Sequence, residues 1–578
     1  MTIFRYFPAV IFALFAGPTL AADANGYTAK YECRAGGPNC NVDVATLSAQ
    51  SCDQIVETDT AWASIVWSNN VICLRAGDHS SKGTLNLGAS GTSGTRKVLR
   101  CVDAVGAECP DPWRTTGNRA NISKLRTANR DYWTIDRIAS NNSSSDYKIE
   151  IVSGSTSNDI IFNRMYITGS GGGGDGANVY FGGGSNLWFQ NSVSADCQVE
   201  VNKSHQAILF STTNTYIVNN ELYDCAKGIG NNYNYALDNS VIENNDVYIT
   251  PNKRTDCAGN YTTSGECSIA KALITVSTGS ATTAPVHVIH NRAWGIRACD
   301  TDVSCSGGGS EGYAIGGGAG GHSDYVLFKD NIITESGGGF LRVALSAYNA
   351  GSTKNSFIGN IVYDIRVFNR TTNSGILWYA EGSNVHQYTG LHLNTFIAVR
   401  GDGWLNYGSV QNSDLRCNVV IDSDPKTSTG GTGTLTDYNV YYGTKDAGEI
   451  NKKTNSLSIR TGSTNYTTGA IVISSTIAGC TTAGDAACFL YRATAGGTTG
   501  SSLPTWCTTL GCTVTDDGGV TWQAIRGAYT FKRRLLTVAG GETVTIPYAR
   551  PHVSAPEFSG CPTSTVKPGV GINDTPLL

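Results

Sequence analysis

The sequence predicts an all-β solenoid of stacked parallel coils, followed by a small β module. Three observations carry this. A short strand-like phrase ending in Asn recurs at near-constant intervals through the middle of the chain. Only 15% of the residues are charged, whereas Gly reaches 68 and Met only 2, a balance suited to strands joined by tight turns. The 18 Cys fall mostly into close pairs, as in a disulfide-stapled chain.

The elements follow in chain order. Met1 to Ala21 has a basic start at Arg5, an apolar run from Tyr6 to Ala16, a break at Gly17-Pro18 and small residues at a Thr19-Leu20-Ala21 cleavage site. The run is shorter than the ~20 residues that span a bilayer, so it reads as a signal peptide. The expected location is secreted, extracellular or at the cell surface, with the periplasm as the alternative. Residues 22–60 carry Cys33, Cys40 and Cys52 and are expected to cap the open end of the solenoid, with Cys52 pairing Cys73.

Residues 61–445 hold the repeat. The phrase appears as Asp159-Ile-Ile-Phe-Asn163, Asn186-Leu-Trp-Phe-Gln-Asn191, Thr215-Tyr-Ile-Val-Asn219 and Ser240-Val-Ile-Glu-Asn244. It returns ending at Asn291, Asn331 and Asn360 and fades through Asn394 and Asn418. The intervals 163 to 191 and 191 to 219 are 28 each, 219 to 244 is 25, and 331 to 360 is 29. Each interval is one coil. Half of each strand is apolar, and it is buried only when coils stack and their backbones pair in parallel. Asn suits the corner because it tolerates the left-handed conformation and its side chains form ladders at strand spacing. The longer intervals, 244 to 291 (47) and 291 to 331 (40), are expected to hold disulfide-stapled excursions, Cys257/Cys267 in one and Cys299/Cys305 with the Gly-rich run Ser306–Gly321 in the other. The first has length for more than one coil.

This pattern, over roughly residues 60 to 445, resembles the pectin-lyase-like superfamily, which implies a right-handed parallel β-helix. Leucine-rich phrases, which would indicate a different solenoid, are absent. The repeat stops near Lys445. Residues 446–530, with Leu503-Pro-Thr-Trp506 and Thr513-Val-Thr-Asp-Asp-Gly-Gly-Val-Thr-Trp522, resemble a small β module of phage-tail and bacterial surface proteins. Its two Trp read as its core more readily than as a sugar platform. Residues 531–578 are expected to pack back on the helix, with Cys561 free to reach Cys417.

The residues also bound the function. A net charge of −4 with scattered basic residues lacks the basic face that nucleic acid requires. None of the Cys pairs has Cys-x-x-Cys spacing and there are only 8 His, which argues against zinc or redox sites. The superfamily resemblance implies work on an acidic polysaccharide along one face of the helix, by Lys or Arg with Ca²⁺ or by paired Asp. The polygalacturonase phrases Asn-Thr-Asp and Gly-His-Gly and the pectate-lyase phrase Trp-x-Asp-His are absent.

Position supplies the candidates. Asp196-Cys197 and Asp224-Cys225 are 28 apart, one coil, so the two Asp should stack and the two Cys should bond. Asp196 and Asp224, completed by Glu200 or Glu221, are the candidate oxygen ligands for Ca²⁺, against a reading as turn aspartates beside a disulfide. Lys271, Arg342, Arg297 and His322 are the candidate catalytic groups, with Lys227 a further cation and Glu311 beside His322 on the long excursion. Arg342 is expected to face outward, with Leu341 and Val343 inward. Trp378, Tyr379, Trp404 and Tyr407 are the candidate sugar-stacking rings. The expected function is cleavage of an acidic extracellular polysaccharide, by a lyase rather than a hydrolase mechanism. The alternative is a non-catalytic carbohydrate-binding adhesin, tail-like or structural protein.

Overall fold

The computed structural model describes residues 50–525 with interruptions, of which the longest are 251–271, 296–312, 422–438 and 475–489, together with the strands Lys532–Thr537 and Thr543–Tyr548. The chain is a right-handed parallel β-helix. Three long parallel sheets of 12, 14 and 11 strands, here sheets A, B and C, run its length. Each coil contributes one strand to A, then B, then C, as in Asn158–Asn163, Tyr166–Thr168 and Ala177–Phe181. The core is one continuous apolar column, with Ile135, Phe162, Phe189, Ile217, Ile242 and Val288 stacked beneath sheet A.

The strand Gln54–Val56 already pairs in parallel with Val71–Arg75, so the coils begin before the expected boundary at 61. The 47-residue interval is a single coil, because Val241 pairs directly with His287. Its extra length lies wholly between the sheet B strand Asp246–Tyr248 and the sheet C strand Ala272–Thr275. Beyond the solenoid lies a five-stranded, mainly antiparallel sheet, with Tyr491 and Trp522 buried in its own apolar cluster. Trp522 donates its indole N–H to Asp516 at 3.2 Å and is 0% exposed, so it is core and not a platform. Among the described residues no helix is long and apolar enough to cross a membrane.

The corner between sheets A and B is built by a dipeptide repeated coil after coil: Asn191–Ser192, Asn219–Asn220, Asn244–Asn245, His290–Asn291 and Asp330–Asn331. Its first residue is left-handed, with φ of 51°, 61°, 57°, 57° and 54°. Its second residue is buried and, from Asn220 to Asn439, always Asn. Asn331 is typical. Its amide donates to Asn360 Oδ1 at 3.0 Å and to the Val288 carbonyl at 2.8 Å, while its oxygen accepts from the backbone N–H and amide of Asn291. The expected ladder is therefore present but split. Asn191, Asn219 and Asn244 occupy the left-handed position and form an outer ladder, Asn219 to Asn191 at 2.5 Å and Asn244 to Asn219 at 3.2 Å. The buried ladder runs one residue later, through Asn220, Asn245, Asn291 and Asn331. Asn163 lies one residue earlier, paired with Gln190 in a sheet A strand, yet its side-chain oxygen accepts the Asn191 amide at 2.9 Å and so starts the outer ladder. A turn needing both a left-handed residue and a buried amide explains why Asn-Asn pairs blurred the register.

Four disulfides lie among the described residues. Cys197–Cys225 joins neighbouring coils with Cα atoms 4.5 Å apart, closer than the usual 5–6 Å. Cys52–Cys73, Cys101–Cys109 and Cys507–Cys512 also form. Cys417 is disulfide-bonded, whereas Cys561, its expected partner, lies outside the described residues, as do Cys33, Cys40, Cys257, Cys267, Cys299, Cys305, Cys480 and Cys488.

Candidate functional site

Sheet C has a feature that a period-two count misses. Its pairing skips one residue near the start of each strand: Tyr147 pairs Ala177 and Ile149 pairs Val179, with no bridge at the residue between. The same gap recurs at Ala207, Gly228, Leu273, Ala314, Ala344 and Gly375. At the gap two successive residues face the core. Ala207 and Ile208, and again Leu273 and Ile274, all belong to the main core cluster. A Cβ at Gly228 would sit 2.2 Å from the core side chain of Val247. Alternation therefore restarts, and the residue before the gap faces away from the core. Tyr147 stacks on Tyr180, ring centroids 4.5 Å apart, and Gln206 lies over Gly230, its Oε1 2.0 Å from where a Cβ would be.

Two columns thus form the outer face of sheet C. The strand-start column reads Tyr147, Ala177, Gln206, Lys227, Ala272, Tyr313, Val343, Ser374 and Gly403. The second reads Glu150, Tyr180, Leu209, Gly230, Thr275, Gly316, Ser346, Leu377 and Asn406. From Gly230 to Ser346 this second column carries only small residues. Thr275 in this column is buried, 2% exposed. At the N-terminal end the face is charged and closed: Glu150 binds Lys124 at 2.5 Å and Arg126 at 3.4 Å. Burial there pushes the Tyr180 phenol up, against a hydrogen bond from Ser153.

Two long sheet B to sheet C connections lead into this face. The excursion after Tyr248 ends on Ala272, and the one after Trp294 ends on Tyr313. Both therefore land in the strand-start column, next to Lys227. Tyr313–Gly317 is itself a sheet C strand, which corrects the expectation of one Gly-rich loop from Ser306 to Gly321. Its glycines read as loop in sequence, yet backbone pairing on both sides holds them in the sheet.

The expected site residues divide accordingly. Lys271, Arg297, His322, Glu311 and Glu200 lie outside the described residues. Lys271 immediately precedes the Ala272 strand, and Arg297 belongs to the excursion that ends on Tyr313. His322 belongs to the connection leaving the far end of the Tyr313–Gly317 strand, a different corner from Lys271 and Arg297. Arg342 opens the strand Arg342–Tyr348 and pairs with Asn373. Val343, expected inward, falls in the column of Gln206 and Lys227, because the expected alternation ran through the gap. The aromatic row does not align. Trp378 and Tyr407 share the column that holds Phe181 and Phe210 in earlier coils, Trp404 falls at the unbridged position, and Tyr379 pairs with Tyr348 in the other alternation. Gln206 and Tyr313 were not singled out by sequence; only the pairing gap reveals their column.

The expected Ca²⁺ ligands fit the ion poorly. Asp224 is buried and its carboxylate accepts the backbone N–H and hydroxyl of Thr250, both at 2.8 Å. Glu221 accepts the Tyr248 hydroxyl at 2.6 Å. Asp196 and Asp224 share a left-handed backbone, φ 50° and 54°, beside the Cys197–Cys225 bond, as a pair of turn aspartates does. Among the described residues no group of three or more His, Cys, Asp or Glu stands ready to hold a metal.

No protein-family model and no curated protein matches the chain. Among solved structures it is similar, at 14% identity, to a mannuronic acid-specific polysaccharide family 6 lyase from human gut microbiota, over 66% of this chain and 77% of that one, with a TM-score of 0.38. It is similar at 12% identity to a family 6 alginate lyase in complex with a trisaccharide, over 69% and 82%, with a TM-score of 0.39. A tailspike receptor-binding domain of siphovirus 9NA is similar at 8% identity, over 86% and 98%, with a TM-score of 0.27. The fold assignment rests on the chain's own strand register.

Proposed function

We propose that the chain is a secreted carbohydrate-active protein that cleaves an acidic polysaccharide by β-elimination on the outer face of sheet C. One observation carries this reading. The two longest excursions end on Ala272 and Tyr313, side by side in the column of Lys227, with Lys271 and Arg342 each one residue before that column, on strands separated by the Tyr313 strand. Cations gathered beside a floor of small residues suit a polymer that carries one carboxylate per sugar. Arg342 would neutralise the uronate carboxylate, which acidifies the adjacent carbon, and a lysine of this row would take its proton. The disulfides favour an oxidising compartment, in keeping with export. Because the expected Ca²⁺ ligands fit poorly, no step is assigned to a metal.

The test is incubation of the full chain with a panel of uronate-containing polysaccharides, following ultraviolet absorbance and reducing ends together. Parallel growth of both signals is the expected result. Reducing ends without absorbance would indicate hydrolysis instead. Binding with neither signal would move the chain to the carbohydrate-binding reading.

A further inference from the structure

We infer that the outer face of sheet A is a docking surface for residues 22–49 of the same chain, which run across it as a strap instead of capping the open end. The inference does not depend on the lyase reading. Sheet A strands read as nearly continuous apolar runs, Ile160-Ile-Phe162 and Leu187-Trp-Phe189 among them, the pattern of strands buried on both sides. Phe162 and Phe189 face the core column, so Ile161 and Trp188 face outward. They belong to an outward column that continues through Tyr216 and Val241 to Leu327. Trp188 is nonetheless 1% exposed, Val241 3% and Leu327 4%. Ile161, Trp188 and Val218 form an apolar cluster of their own, apart from the core. Trp188 and Tyr216 stack with ring centroids 4.0 Å apart, but stacking along the column covers ring faces only. The outer edges need a further layer. On sheet C, by contrast, the outward side chain of Arg126 is 46% exposed.

The occupant is indicated by the residues through which the strap would enter. Cys52 is bonded to Cys73, which lies in the neighbouring outward column of sheet A, and it packs against the outer cluster of Val71, Cys73 and Val98. Arg100, beside Cys73 on the next strand, donates its guanidinium N–H to the Gln50 carbonyl. From Cys52 back to Gln50 the chain therefore advances over the face, in the direction of Val218 and Ile289. Residues 22–49 reach up to about 90 Å when extended, at about 3.3 Å per residue. The sheet has twelve strands, which at about 4.8 Å per step span about 53 Å. The sequence just before Gln50, Val42-Asp-Val-Ala-Thr-Leu47, supplies apolar residues for an apolar face.

The test is photo-crosslinking in the full oxidised chain, with Tyr216→p-benzoylphenylalanine and, separately, Leu327→p-benzoylphenylalanine, followed by peptide mapping. Both labels should capture residues 22–49, the one at 216 nearer Gln50 and the one at 327 farther from it. Capture of residues 531–578 would overturn the inference in favour of the C-terminal tail, and capture of a second chain would do so in favour of an interface between copies. Hydroxyl-radical footprinting of the unsubstituted protein needs no variant to fold. Trp188 and Tyr216 should be protected there. Free oxidation of both would mean an uncovered face and would also overturn the inference.

Discussion

Two corners of the same solenoid obey opposite rules. Between sheets A and B every coil from Asn191 to Asn331 turns with a dipeptide, one residue left-handed and the next buried and hydrogen-bonded to its neighbour in the following coil. Between sheets B and C the chain takes a short path in one coil, from Tyr223 to Lys227, and a long one in the next, from Tyr248 to Ala272. The first corner is fixed because buried amides must all be satisfied, so an insertion there would break a run of bonds. The second varies in length from coil to coil, and loop length costs little free energy. Repetition is concentrated at one corner and variation in length at the other.

The largest expected effect is at the variable corner. Arg342→Ala or Lys271→Ala should lower turnover by about 10²-fold or more, with the thermal midpoint unchanged, since neither corner residue belongs to the ladder. Steady-state rates beside calorimetry would show it, and a parallel loss of stability would blur the distinction between corners. At the fixed corner Asn331→Leu should do the reverse. It removes four hydrogen bonds and leaves the Asn291 amide and backbone N–H without their acceptor. The expected cost is about 3 kcal/mol in denaturant unfolding, with turnover per folded molecule retained. Asn219→Ala, in the outer ladder, should cost about 1 kcal/mol, because the outer amides are partly exposed and water can replace their partners.

A pH dependence is expected at the same corner. His290 sits between Glu243 and Asp330, each 3.3 Å from a ring nitrogen. Burial alone would lower its pKa, but the hydrogen bonds to Asp330 and Glu243 outweigh it and push it up to about 9. The folded value lies above the ordinary 6.5, so the stabilisation is complete below pH 6.5 and is lost as pH rises through about 9. His290→Gln should therefore be less stable than the native chain at pH 6 and match it at pH 10. An unchanged difference across that range would remove His290 as the titrating group.

The same contrast sets what sequence could reveal. The solenoid was legible because the fixed corner repeats: Asn, apolar alternation and interval all recur, and Cys197 and Cys225 were placed one coil apart and do bond. The ladder was read one residue off through Asn191, Asn219 and Asn244, because an Asn in the left-handed place and an Asn in the buried place are the same letter. The face of sheet C was less legible. A period-two count set Val343 inward, whereas the register puts it in the column of Gln206 and Lys227, and Trp378, Trp404 and Tyr407 do not fall in one column. Tyr313 was hidden in a Gly-rich run whose strand is held by pairing on both sides rather than by any propensity of its own.

Excising residues 251–271 and joining Thr250 to Ala272 through a short Gly-Ser link tests the division of labour most directly. The coil should still close, because Val241 pairs with His287 and Asp246 with Arg292 without that segment. The expected outcome is a thermal midpoint within a few degrees of native and a loss of cleavage of about 10²-fold or more. A shortened chain that cleaves its polymer at the native rate would contradict the placement of function at the variable corner.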